Sequence, residues 1–145
     1  MTLFTIGYEG ATVEGLVSAL QAAGVRTLAD VRAVPLSRKP GFSKKSLGAR
    51  LAEAGIGYRH LQRLGTPPDG REAARKGNHA GLERIYLSHL EASDAQAQLA
   101  ELAELARTEP VALLCFERAP ADCHRSILAN QPGLRELERV DLFAD

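Results

Sequence analysis

The stretch "VALLCFERAPADCHRSILAN" runs from Val111 to Asn130 and gives the clearest indication of the fold class. Its first six residues are all apolar, which is typical of a parallel strand covered on both faces. Its last eight residues, "CHRSILAN", indicate a helix, which we expect to begin after Asp122. A buried strand followed closely by a helix is the repeating unit of α/β proteins.

The rest of the chain continues this alternation of strand and helix. Four further strands are predicted at "TLFTIG", "TLADVR", "IGYRHL" and "LERVDLF", with amphipathic helical patterns between them. Thr12 is a typical N-cap for the first helix. The turn "GTPPDG" precedes "REAARKGNH", which we expect to be an exposed, mobile excursion. The pattern predicts one three-layer α/β domain over residues 1–145, with a mostly parallel central sheet of about four to five strands.

The bulk composition is that of an ordinary globular protein. The 145 residues are 45% hydrophobic and 25% charged. No apolar run approaches the roughly 20 residues of a membrane span, so no membrane partner is expected. The first residues lack the pattern of a secretory leader, which predicts a cytoplasmic location. In that compartment Cys115 and Cys123 are expected to be free thiols rather than a disulfide.

Charge is unevenly distributed, although the formal net charge is zero. Residues 26–84 contain 13 Lys or Arg and 5 Asp or Glu, a net charge of +8. The densest part, residues 32–50, has six basic residues and no acidic one. Pro35, Pro40 and Gly41 interrupt it, which indicates a shaped loop rather than a helix surface. A basic loop of this kind predicts an anionic partner.

Polar residues follow three of the predicted strands. Right-handed crossovers place the carboxyl ends of parallel strands along one edge of the sheet, where α/β proteins bind ligands. We therefore expect a crevice lined by residues from these strand exits, namely Tyr8, Glu9, Asp30, Arg32, Cys115 and Glu117.

The two arginines near this edge have two interpretations. Arg125 lies in the first turn of the predicted helix, where the helix dipole disfavours a cation, so an anion-binding role is favoured over a structural one. Arg32 and Arg125 can instead form structural ion pairs with Glu9 or Glu117.

The cysteines and the histidine also leave alternatives open. Cys115 is either a small core residue or a catalytic one, and Cys123 is the more reactive by its position at a helix start. His124 is either a general base or a surface residue. Cys115, Cys123 and His124 lack the paired Cys-x-x-Cys spacing of zinc modules, so no metal site is predicted.

Five segments of the chain carry a family resemblance. They are "TIGYEG" (residues 5–10), "DVR" (30–32), "PLSRKPGFSKK" (35–45), "YRHLQRLG" (58–65) and "CFE…CHR" (115–125). In this order they resemble the domain-of-unknown-function family numbered 488. The resemblance implies a compact cytosolic α/β domain and supplies no reaction and no cofactor. The residues that the resemblance places on family motifs are Tyr8, Arg32, Ser37, Arg38, His60, Cys115, Glu117, Cys123, His124 and Arg125.

The leading functional hypothesis is a pocket for a phosphorylated ligand, either a nucleotide or a nucleic-acid end. Arginine suits this task because its guanidinium group binds phosphate with two hydrogen bonds, and lysine adds positive charge. Glu117 or His124 would act as acid or base, with Cys115 in the pocket wall. The candidate anion-binding residues are Tyr8, Glu9, Arg32, Ser37, Arg38, Lys39, His60 and Arg125.

Two other functions are consistent with the sequence. A non-catalytic nucleic-acid-binding module would use the basic stretch Arg26–Arg84. A thiol redox protein would use Cys115 and Cys123, although their spacing is unlike Cys-x-x-Cys. No feature of the sequence indicates a cofactor or an oligomeric state.

Overall fold

A single sheet organises the chain. The computed structural model describes residues 1–120 and 123–145. All strand pairs in the sheet are parallel, and the spatial order is β3-β2-β4-β1-β5. This confirms the predicted α/β class and its parallel sheet. The five strands are β1 (Thr2–Gly7), β2 (Thr27–Asp30), β3 (Gly57–His60), β4 (Val111–Cys115) and β5 (Glu138–Phe143).

Helices connect the strands. Thr12 caps the first of them, because its Oγ1 accepts a hydrogen bond of 3.0 Å from the Gly15 N–H. The last helix has Cys123 at its N-cap position. This agrees with the predicted start directly after residue 122, which itself lies outside the described residues. The helices are α1 (Val13–Ala22), α2 (Lys44–Glu53), α3 (Pro68–Arg75), α4 (His79–Leu90), α5 (Ser93–Thr108) and α6 (His124–Ala129).

The core consists of two apolar clusters, one on each face of the sheet. Alternate residues of β4 belong to different clusters: Val111 and Leu113 are in one, and Ala112 and Leu114 are in the other. The first cluster includes buried residues of α4, α5 and α6, and the second includes buried residues of α1 and α2. Because both faces are covered, β4 is apolar along its whole length.

The segment after the "GTPPDG" turn differs from its prediction. "REAARKGNH" was expected to be an exposed, mobile excursion, but residues Pro68–Arg75 form helix α3. Pro68 occupies the first turn, where a missing N–H costs nothing, and Asp69 follows it close to the positive end of the helix dipole. Ala73 packs inward. Proline here begins a helix instead of breaking one.

The strand register brings the predicted crevice residues to one edge. Gly7 is paired with Cys115, and Asp30 is paired with Leu114, so β1, β2 and β4 end at nearly the same level. The exits continue in step, because the Tyr8 N–H donates to the Cys115 carbonyl and the Val31 N–H donates to the Leu114 carbonyl, both at 3.2 Å. The predicted convergence of these strand exits is therefore present.

Gly7 is required for the close approach of the chain segment that carries Glu117. A Cβ atom at position 7 would lie 1.8 Å from the Glu117 carbonyl oxygen. We predict that Gly7→Ala lowers the free energy of unfolding by about 1–3 kcal/mol, the usual cost of overpacking. Urea unfolding of the purified variant measures this.

Gly48→Ala is the matched control. A Cβ at position 48, inside α2, would meet only the Tyr58 ring, at 3.7 Å and beyond, so alanine should be neutral or stabilising by up to about 1 kcal/mol through helix propensity. An unchanged unfolding midpoint for Gly7→Ala would contradict the tight approach at β1.

Candidate functional site

A cavity of about 540 Å³ opens at the carboxyl edge of the sheet. Three strand exits, the start of α6 and the helix α3 line it. This is the place where parallel α/β sheets generally bind ligands. Its lining includes Tyr8, Arg32, Arg71, Arg75, Cys115, Phe116, Glu117, Cys123 and His124.

Tyr8 forms an aromatic wall of the cavity. Its ring stacks on Phe42 with a centroid separation of 4.6 Å and meets Phe116 edge-on at 5.3 Å. The Tyr8 side chain is buried, whereas Phe116 is 47% exposed. The wall therefore offers apolar ring surface next to the charged groups described below, which suits a ligand with both a flat and an ionic part.

Arg32 lies on the cavity but is held by Asp30. The Arg32 Nε and Nη2 atoms donate to the two Asp30 carboxylate oxygens at 2.8 and 2.7 Å, and Nη1 donates to the Phe42 carbonyl at 2.7 Å. Burial alone would lower the pKa of Arg32, but the bonds and the charge of Asp30 outweigh it and raise that pKa. Arg32 thus forms a buried ion pair, with a partner different from the two acids considered in the sequence.

β3 supports this pair from the side. The Tyr58 hydroxyl donates to Asp30 Oδ2 at 2.5 Å, and His60 Nε2 lies 2.8 Å from the Arg32 carbonyl oxygen. Neither Tyr58 nor His60 lines the cavity. His60, predicted to bind an anion, instead contacts the Arg32 backbone carbonyl and lies outside the cavity lining.

Arg125 is completely buried and shapes the chain after β4. Its Nη1 donates to the Glu117 carbonyl at 2.5 Å, and its Nη2 donates to the Arg118 carbonyl at 3.1 Å. Desolvation by burial lowers the pKa of Arg125 to about 10, which still leaves the guanidinium charged at neutral pH. Arg125 does not line the cavity, so the structure places this predicted anion ligand behind its wall.

The two acidic candidates, Glu9 and Glu117, lie in different places relative to the cavity. Glu9 is exposed, and its Oε1 accepts a 3.0 Å bond from the Arg118 N–H, which fixes the same segment from outside. Glu117 lines the cavity, and its Oε2 lies 3.6 Å from Cys115 Sγ. Of the two carboxylates, only Glu117 is in a position to contact a ligand in the cavity.

Cys115 and Cys123 are joined in a disulfide, so the expectation of two free thiols is wrong for this structure. Cys115 ends β4, and Cys123 directly precedes α6. The sequence separation of 8 residues concealed this proximity, which arises from the tertiary fold. Both residues are 2% exposed and both line the cavity.

His124 is a buried residue rather than a surface one. Its Nε2 lies 2.7 Å from the Val31 carbonyl oxygen, and its Nδ1 lies 3.6 Å from Cys123 Sγ. Desolvation by burial lowers the pKa of His124 to about 4, so the imidazole is neutral at neutral pH. Because Nε2 is occupied by a backbone carbonyl, His124 is poorly placed to serve as the acid or base.

The part of the basic loop that carries Ser37, Arg38 and Lys39 lies away from the cavity lining. Ser37 Oγ accepts from the Lys39 N–H at 3.1 Å, and the Lys39 ammonium sits 5.8 Å from the centre of the Phe42 ring. Arg38 is exposed. None of these three residues lines the cavity, so the structure separates this part of the predicted anion site from the rest.

The structure adds two cavity cations that sequence reasoning missed. Arg71 and Arg75, one helical turn apart on α3, both line the cavity. No ion pair joins either of them to a carboxylate within residues 1–120 and 123–145. Their four-residue spacing and the proline before them were the available signals, but the segment was interpreted as irregular.

The fold and the cavity define a parallel α/β protein with a partly cationic pocket at the carboxyl edge of its sheet. The chain belongs to the family described as "Domain of unknown function DUF488", whose model matches residues 12–131. This confirms the family resemblance stated from the motifs. No curated protein and no solved structure matches the chain at a significant level. Within the described ranges, no helix has the length and apolar character that crossing a membrane requires.

The Asp30–Arg32 pair yields a stability prediction. Removing one partner of a buried ion pair leaves an uncompensated buried charge and typically costs about 3–5 kcal/mol. We predict that Asp30→Asn lowers the free energy of unfolding by about 3 kcal/mol, measured by urea denaturation. The control is Glu14→Gln, which removes the exposed Glu14–Arg50 pair and should cost much less, because surface ion pairs contribute little to stability. Equal losses in the two variants would contradict a structural role for the Asp30–Arg32 pair.

Proposed function

We propose that the cavity binds a small phosphorylated molecule, such as a nucleotide or the end of a nucleic acid. The observation that carries this proposal is the position of Arg71 and Arg75. Both residues line the cavity, and neither has an ion-pair partner in the described part of the chain. Two adjacent cations beside an enclosed space favour an anion, and guanidinium groups match the geometry of phosphate oxygens.

Arg32 has a different task in this proposal. Its charge is balanced by Asp30, and its three donor nitrogens already bond to Asp30 and to the Phe42 carbonyl. Arg32 therefore stiffens the cavity wall, while α3 supplies the charge that is available to a ligand. Arg125 plays a similar supporting part behind the Glu117 segment.

The remaining wall suits the non-ionic part of such a ligand. The Tyr8 ring and the half-exposed Phe116 ring provide apolar surface next to the arginines. Among the described residues, Glu117 is the lining carboxylate that can accept or donate a proton if a bond to the ligand is made or broken. The cavity volume of about 540 Å³ is in the usual range for small-molecule sites.

Thermal unfolding with added ligands tests the proposal. We predict that inorganic phosphate or a mononucleotide raises the unfolding midpoint of the wild type. A ligand at 100 times its dissociation constant adds roughly 2.7 kcal/mol of stability. Arg71→Gln and Arg75→Gln should each weaken binding about 10-fold, the effect of losing one charge-assisted hydrogen bond. Arg84→Gln is the matched control, because Arg84 is exposed on α4 and does not line the cavity.

Salt dependence separates this pocket from a nucleic-acid-binding surface. A pocket that takes one small anion should respond weakly to salt, whereas a surface with several phosphate contacts loses affinity steeply as salt rises. Binding only to DNA or RNA, abolished by salt and by Arg38→Gln with Lys39→Gln, would replace the proposal with the surface alternative. No midpoint shift with any ligand would contradict both.

A further inference from the structure

Cys115, Cys123 and His124 form a compact set of metal-ligand atoms in the wall of the cavity. One sulfur or nitrogen atom from each residue lies within 4.8 Å of the other two, and all three residues are buried. We propose that the reduced protein binds one Zn²⁺ ion through the Cys115 and Cys123 thiolates and the Nδ1 atom of His124. Two thiolates and one imidazole are a donor set that zinc prefers.

The hydrogen bonding of His124 leaves the required nitrogen available. Nε2 lies 2.7 Å from the Val31 carbonyl oxygen, which can only accept a hydrogen bond. Nε2 therefore carries the proton, and Nδ1 keeps its lone pair. Histidines that bind metals usually donate their other ring N–H to a carbonyl or a carboxylate in this way. The Val31 carbonyl thus orients His124 as a ligand.

The donor spacing matches a tetrahedral zinc site. Zinc binds sulfur at about 2.3 Å and nitrogen at about 2.0–2.1 Å, which separates a sulfur and a nitrogen ligand by about 3.6 Å. Cys123 Sγ and His124 Nδ1 lie 3.6 Å apart. The Cα atoms of Cys115 and Cys123 are 7.3 Å apart, a wide spacing that lets the two sulfurs separate after reduction while the backbone stays in place.

The surroundings of Cys115 support a thiolate ligand. Arg125 Nη1 lies 2.8 Å from Cys115 Sγ and donates a charged N–H to it. Glu117 Oε2 lies 3.6 Å from the same sulfur, so a carboxylate oxygen is close to the proposed site. Three protein ligands in a cavity wall, with a fourth position open to an oxygen, are typical of catalytic zinc sites rather than structural ones.

The disulfide and the zinc site exclude each other. A phosphine reductant takes one oxygen from water, becomes a phosphine oxide, and converts the disulfide into two thiols. Binding of Zn²⁺ then releases one proton from each thiol and forms two Zn–S bonds, without any change in the oxidation state of zinc. The oxidised protein has no thiolate to offer and should not bind the ion.

Cobalt titration of the purified chain tests this proposal. We expect the protein reduced with a phosphine under anaerobic conditions to bind one equivalent of Co²⁺, with thiolate-to-cobalt charge-transfer absorption in the near ultraviolet. Zn²⁺ should displace the cobalt and abolish that absorption. The disulfide form of the same protein, freed of reductant, should show none. Cys115→Ser and Cys123→Ser should each lower the charge-transfer intensity and the affinity.

His89 provides the matched control for His124. Its Nε2 lies 2.8 Å from the Arg63 carbonyl oxygen, so it has a similar backbone hydrogen bond, but it is not part of the set of clustered ligand atoms. His124→Gln should weaken cobalt binding at least 10-fold, whereas His89→Gln should leave it unchanged. The cysteine variants are judged only if they fold, which far-ultraviolet circular dichroism shows. If they do not fold, cobalt binding by the two histidine variants and by the reduced and disulfide forms of the wild type still tests the zinc site.

Two results would overturn the zinc site. One is the absence of charge-transfer absorption in the reduced wild type, and the other is equal cobalt affinity in the two histidine variants. Because the titration contains no phosphate or nucleotide, its outcome does not depend on whether the cavity binds an anion.

Discussion

The common direction of the five strands is the constraint on which the site depends. Because β1, β2 and β4 are parallel neighbours in register, their last residues reach the same edge. Tyr8, Arg32 and Glu117, far apart in the chain, therefore border one cavity. β4 is the central strand of the sheet and is apolar on both faces. Side chains that could react with or bind a ligand therefore first occur at its carboxyl end, at Cys115–Glu117.

The arginines around the cavity divide into two kinds. Arg32 and Arg125 are buried, and their guanidinium groups bond to protein carboxylate or carbonyl oxygens. Such groups hold the wall in one shape and have little capacity left for a ligand. Arg71 and Arg75 come from a helix at the cavity margin, where solvent reduces the cost of keeping a charge without a fixed partner. In our proposal the first kind gives the pocket its rigidity and the second gives it affinity.

The sequence predicted strands such as β4 well, because a short apolar run bounded by polar or turn residues is typical of a buried strand. Its errors concern tertiary information. Strand β2 was expected to reach Arg32 but ends at Asp30, because the Arg32 N–H bonds to the Asp30 side chain instead of continuing the ladder. Helix α3 was missed because its prolines were interpreted as breakers. The proximity of Cys115 and Cys123 depends on how the chain returns to β4, which residue spacing alone does not reveal.

The most direct test of the account is a map of backbone amide shifts in a ¹H–¹⁵N spectrum during titration with a mononucleotide. We predict that the largest amide shift changes occur at the ends of β1 and β4 and in α3, around Tyr8, Phe116 and Arg71. Residues 35–45 of the basic loop should show only small changes. The same titration of the Arg71→Gln variant should shift these amides only at higher ligand concentration. Changes confined to the basic loop, or no changes at saturating nucleotide, would contradict a ligand pocket at the carboxyl edge of the sheet.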